Sequence, residues 1–129
     1  MSPNQSTALI LFAHGARDPE WATPLHRIRE LVAARRPALR VELAFLEIMQ
    51  PTLGEAVAEL ARAGHTRILI APLFLAPGGH LKRDVPLLIE EARGRYPGVA
   101  FELLPALGEI DAVIEAAAAW LAARTTEQD

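Results

Sequence analysis

The stretch Ala8-Leu9-Ile10-Leu11-Phe12-Ala13-His14-Gly15-Ala16-Arg17-Asp18-Pro19 decides the fold. It opens as an unbroken apolar run and then turns polar at a His-Gly pair, ending on a proline. A half-exposed strand would alternate apolar and polar residues, so a continuous run predicts a strand buried on both faces of a parallel sheet. Similar runs recur at residues 41–46 and 68–75, with a weaker one at 99–104. Between them the apolar residues fall at helical spacing: Trp21, Leu25, Ile28, Leu31 and Val32; then Leu53, Val57, Leu60 and Ala61; then Val85, Leu88 and Ile89. A last helix is expected over about residues 110–123, alanine-rich, with Val113, Ile114, Trp120 and Leu121 as its bulk. Pro19 and Pro51 stand near helix starts, and Gly64 and Pro97-Gly98 follow helix ends.

Strands alternating with helices predict an α/β domain of three layers, doubly wound, with a four-stranded parallel sheet and right-handed crossovers. The order expected is 2-1-3-4. With 129 residues, one domain is expected over residues 7–124, between flexible tails at 1–6 and 125–129. A composition 51% hydrophobic and 22% charged is that of a folding chain with a filled core. The net charge of −3 supplies no general field toward nucleic acid or an anionic membrane, so neither is expected as a partner. The absence of cysteine excludes disulfides, zinc–thiolate sites, iron–sulfur clusters and thiol nucleophiles. No apolar run approaches the roughly 18 residues of a membrane span, and no signal peptide is visible, so a cytoplasmic location is expected.

Ligands of doubly wound sheets bind beyond the carboxyl ends of the strands, where strand order reverses. The loops there carry His14-Gly15-Ala16-Arg17-Asp18, Glu47-Ile48-Met49-Gln50-Pro51, and residues 76–84 with His80, Lys82 and Arg83. Two imidazoles and one carboxylate, His14, His80 and Glu47, form a set suited to iron, cobalt, nickel or zinc, with coordination positions left for a substrate. Imidazole also accepts protons near neutral pH. Arg17, Lys82 and Arg83 place cations beside the same edge for an anionic ligand. Each residue has a plainer role available. A lone histidine after a strand is commonly a hydrogen-bonded loop residue, His80 fits the first turn of the third helix, and Glu47 fits a helix N-terminal charge. His26 and His65 are expected to be structural or surface residues. Gly78-Gly79 could mark a phosphate-binding turn, but neither the dinucleotide nor the Walker pattern is present.

The segments Leu11-Phe12-Ala13-His14-Gly15-Ala16-Arg17-Asp18-Pro19, Ala44-Phe45-Leu46-Glu47 with Pro51-Thr52-Leu53, and Pro72-Leu73-Phe74-Leu75 leading to Gly78-Gly79-His80 and Asp84-Val85-Pro86 closely resemble the sirohydrochlorin chelatases of the small CbiX type, relatives of the class II chelatases. Leu107-Gly108 adds a weaker match. The resemblance implies a chelatase-like fold and insertion of Co²⁺, Fe²⁺ or Ni²⁺, taken as substrate, into sirohydrochlorin, without an organic cofactor. It maps the family's two histidines onto His14 and His80 and its acidic partner onto Glu47. Ala16 departs from the family, where a small hydroxyl residue is frequent. The family also has long members with two such domains, so a chain of one half is expected to act as a homodimer. Two other classes stay open on the residues themselves. One is a metal-storage or carrier module. The other is a phosphohistidine phosphatase built on His14-Gly15-Ala16-Arg17, which Ala13 weakens because those enzymes carry an arginine before the histidine.

Overall fold

The structure, a computed structural model, describes residues 6–76 and 78–125, of His80 the backbone only. Four strands, β1 (Thr7–Ala13), β2 (Arg40–Phe45), β3 (Arg67–Pro72) and β4 (Ala100–Leu103), form one sheet in the order β2-β1-β3-β4, with every neighbouring pair parallel. The helices are α1 (Thr23–Arg35), α2 (Leu53–Arg62), α3 (Gly79–Arg95) and α4 (Asp111–Thr125); 3₁₀ turns at Pro19–Ala22 and Leu107–Glu109 lead into the first and the last. This is the α/β architecture and strand order expected from the alternating runs.

The larger core lies between the sheet and α2 and α3. Ala8, Ile10, Phe12, Ile68 and Ile70 point into it from the central strands and meet Val57 and Leu60 of α2 and Val85 and Ile89 of α3. Alternate strand residues serve the other face, where Leu11, Ala13, Leu43 and Phe45 meet Ala22 and the half-buried Leu25, Ile28 and Val32 of α1. Both faces of β1 are therefore apolar, as its unbroken run requires. Among the described residues no helix is long and apolar enough to cross a membrane.

Two boundaries and the burial of one helix differ from the sequence expectation. β3 stops at Pro72, short of Leu75, because proline has no N–H to continue the ladder. Leu73 still donates to the Phe12 carbonyl at 2.8 Å, Phe74 then turns edge-on to Phe12 with ring centroids 6.0 Å apart, and Leu75 is left exposed. α3 starts at Gly79, ahead of the Val85 pattern, since its first turns are mostly polar and carry little periodicity to read. α4, expected as part of the helical layers, buries none of its residues. Of the two expected tails, residues 1–5 and 126–129 lie outside the described residues; the Ser6 carbonyl accepts the Thr66 N–H at 2.9 Å, and Thr125 closes α4.

Candidate functional site

His14 follows the last residue of β1, and Glu47 lies two residues past the end of β2. Because β1 and β2 are parallel neighbours in register Ala13↔Phe45, both loops leave from the same edge. The ladder extends into them: Leu46 N–H donates to the Ala13 carbonyl at 2.9 Å and Glu47 N–H to the His14 carbonyl at 3.1 Å. This lacing leaves the His14 Nε2 atom 2.9 Å from Oε1 of Glu47.

Gly15 makes the close approach possible. Its φ is +102°, a backbone that residues with a Cβ rarely adopt, and a Cβ there would come within 1.9 Å of the Glu47 carbonyl oxygen. On the Glu47 side the loop doubles back: Ile48 has φ 70°, and the Met49 N–H donates to the Glu47 carbonyl at 2.7 Å. The chain then runs through Pro51 to Thr52, whose hydroxyl accepts the Glu55 N–H while the Glu55 carboxylate accepts the Thr52 N–H. The carboxylate at the N-terminus of α2 is therefore Glu55, and Glu47 is left for His14. The Thr52-Leu53-Gly54-Glu55 spacing carries that capping signature in the sequence, where it went unread.

The pair is open to water, with the His14 and Glu47 side chains 48% and 56% exposed. Exposed ion pairs contribute only about 0–1 kcal/mol to stability, so folding alone does not account for an arrangement so closely specified by backbone. A nearby cavity between α2 and α3, lined by Phe12, Phe45, Leu46 and Tyr96 among others, measures about 280 Å³. That is below the roughly 300–1,000 Å³ of small-molecule pockets, and neither His14 nor Glu47 lines it.

His80 is the second residue of α3, which follows β3, the other neighbour of β1. Its backbone is thus on the same edge of the sheet as His14, and its side chain lies outside the described residues, as does Pro77 before it. Among the described residues no group of three or more metal-binding side chains is assembled. The structure therefore brings together two of the three residues singled out from the sequence. Arg17, Lys82 and Arg83 are exposed on the loops and first turns of this edge. His26 is exposed on α1, and His65 stands after Gly64 at the opposite end of β3, its buried Nδ1 without a hydrogen-bond partner.

The CbiX family model matches residues 8–124. A sirohydrochlorin cobaltochelatase of Methanopyrus kandleri is 38% identical over 82 residues, which span 64% of this chain and 57% of that protein. The chain thus aligns with less than two thirds of that relative. In structure it is similar to the CbiX protein of Marinobacter aquaeolei VT8, with TM-score 0.80 and 27% identity over 95% of this chain and 99% of the other. It is also similar to the sirohydrochlorin chelatase SirB of Bacillus subtilis subspecies spizizenii, solved in complex with cobalt, with TM-score 0.74 and 28% identity over 86% of this chain and 47% of that one. With the family model matching residues 8–124 and the fold shared with solved members, the chain belongs to the CbiX family.

Proposed function

We propose that the protein inserts a divalent metal, Co²⁺, Fe²⁺ or Ni²⁺, into sirohydrochlorin, on a route to a cobalamin- or sirohaem-type tetrapyrrole. The observation that carries this reading is the His14–Glu47 pair, 2.9 Å apart and open to solvent at the carboxyl edge of the parallel sheet, on the strand next to the point where strand order reverses. Relatives named for the same reaction support it.

In this reading neutral His14 and His80 take the incoming ion, and Glu47 completes the shell or fixes the tautomer and orientation of the His14 ring. Sirohydrochlorin lies over the open edge. Entry of one divalent ion releases two pyrrole N–H protons, for which the imidazoles are the nearest acceptors. Arg17, Lys82 and Arg83 face the substrate's peripheral carboxylates. Sirohydrochlorin and a second copy of the chain are the partners, the homodimer supplying the second wall of the cleft.

The test follows the sirohydrochlorin absorbance after adding protein with each metal separately. A faster spectral change than in the protein-free mixture is expected with at least one ion. Metal binding with an unchanged tetrapyrrole spectrum would replace the enzyme with a carrier module.

A further inference from the structure

Ile48 stands in a backbone that isoleucine rarely adopts. Its φ is 70°, and across it the Met49 N–H closes onto the Glu47 carbonyl at 2.7 Å, so residues 47–49 form a γ-turn of positive φ, the rare and strained kind. A β-branched residue suits that region worst; glycine and asparagine enter it most readily. Packing does not offset the strain, because Ile48 belongs to neither core cluster and is 62% exposed. Strain of this kind concentrates at active sites and ligand clamps, and here it adjoins Glu47 of the candidate site.

A second apolar residue is held out on the other side of His14. Leu75, three residues past the end of β3, is 72% exposed, although Phe74 before it is buried against Phe12. Its backbone is clamped. The Phe74 carbonyl accepts the Gly108 N–H at 3.3 Å, and a Cβ on Gly108 would come within 1.4 Å of the Leu75 carbonyl oxygen. β1 lies between β2 and β3, so the loops bearing Ile48 and Leu75 flank the loop bearing His14. At about 4.8 Å between neighbouring strands, the two flanking loops leave the sheet about 10 Å apart.

We propose that Ile48 and Leu75 are positioning residues for sirohydrochlorin, two aliphatic supports for the face of the macrocycle on either side of the His14–Glu47 pair. The identity of the ligand rests on the chelatase reading above. Arginine and lysine suit the peripheral carboxylates, but the face of the ring is apolar and gains from leaving water only against apolar surface. Two contacts flanking His14 also fix the plane of a flat ligand that a single contact leaves free to tilt.

Titration of the full chain with metal-free sirohydrochlorin, followed by its absorbance and fluorescence, tests this without metal insertion. Ile48→Asn keeps a residue that enters the left-handed region and removes the aliphatic contact. Leu75→Asn makes the same exchange on the other side. Each should weaken sirohydrochlorin binding about tenfold, the worth of burying most of one such side chain. Ile48→Leu and Leu75→Met, which keep the apolar volume, should bind as the parent does. Parental affinity in either asparagine variant, or equal weakening in the asparagine and aliphatic variants, would overturn the proposal. Ile48→Asn should melt at or above the parental temperature, since strain is relieved and no packing is lost. A lower melting temperature would show that Ile48 serves the fold, and a changed light-scattering mass would assign it to a contact between copies; either overturns its role here. A parent that binds sirohydrochlorin but leaves it unmetallated with every ion would remove the chelatase reading and leave this proposal standing.

Discussion

Replacing Gly15 by alanine should damage both stability and activity, although alanine adds a single methyl group. The added Cβ would meet the Glu47 carbonyl oxygen at 1.9 Å, where ordinary contact begins near 3.4 Å, so the two loops must part by about 1.5 Å. Such a separation stretches the Leu46–Ala13 and Glu47–His14 backbone bonds from 2.9 and 3.1 Å past hydrogen-bonding distance. Each lost bond costs about 0.5–1.5 kcal/mol, and holding a residue with a Cβ in this backbone region costs about 1–3 kcal/mol. The total is about 2–6 kcal/mol. At about 2.1 cal/mol/K per residue over 129 residues, each kcal/mol lowers the melting temperature by about 4 °C, which gives a drop of roughly 8–24 °C. Parting the loops also carries His14 away from Glu47, and a displacement of about 1 Å at a reacting site can reduce rate by about 10²-fold. Thermal melting by circular dichroism and the sirohydrochlorin absorbance assay, run below the lowered transition, measure the two effects separately. A variant that melts within about 4 °C of the parent and inserts metal at the parental rate would refute the claim that this glycine sets the pair.

His14→Ala and Glu47→Gln should behave in the opposite way, melting within about 1 kcal/mol of the parent because both side chains are about half exposed, but losing most of the insertion rate. His80→Ala should lose insertion to a similar degree, and a parental rate in that variant would remove His80 from the site. Gly54→Ala serves as the control glycine: nothing lies within 4 Å of its added Cβ in the first turn of α2, so melting should be unchanged or rise by up to about 1 kcal/mol. Gly108→Ala should lower the melting temperature by several degrees, because its Cβ would meet the Leu75 carbonyl and force the turn before α4 to move.

The layout of the sheet was legible because burial on both faces writes itself as unbroken apolar runs, and β1 shows this with Ile10 and Phe12 in one core and Leu11 and Ala13 in the other. The end of β3 was not, since the run continues through Leu73, Phe74 and Leu75 while Pro72 ends the ladder; hydropathy does not register a missing N–H. His14 and Glu47 could be placed on one edge from strand order alone. That they touch depends on the Gly15 backbone and the reversal at Ile48, which residue types only hint at. The direction of α4 was the least legible feature, for an apolar helix reads the same whether its covering sheet belongs to its own chain or to another.

The α1 face of β3 and the candidate site share a packing cluster, which gives the proposed homodimer a testable consequence for catalysis. Ala71 and Leu73, on that face, are half-buried against the cluster that holds Ala13, Phe45 and Met49. Ala13 immediately precedes His14, and Phe45 and Met49 bracket Glu47. Side chains packed on one side only keep rotamer freedom that a covering layer removes, and interiors at native density transmit such restraint to their neighbours. A second copy seated on this face would therefore stiffen the bases of both site loops, and separating the copies would loosen them. Specific insertion activity should fall when the protein is diluted through the concentration at which light scattering shows the mass dropping from two chains to one. Activity per chain that stays constant across that transition would show that the His14–Glu47 pair needs no support from a second copy.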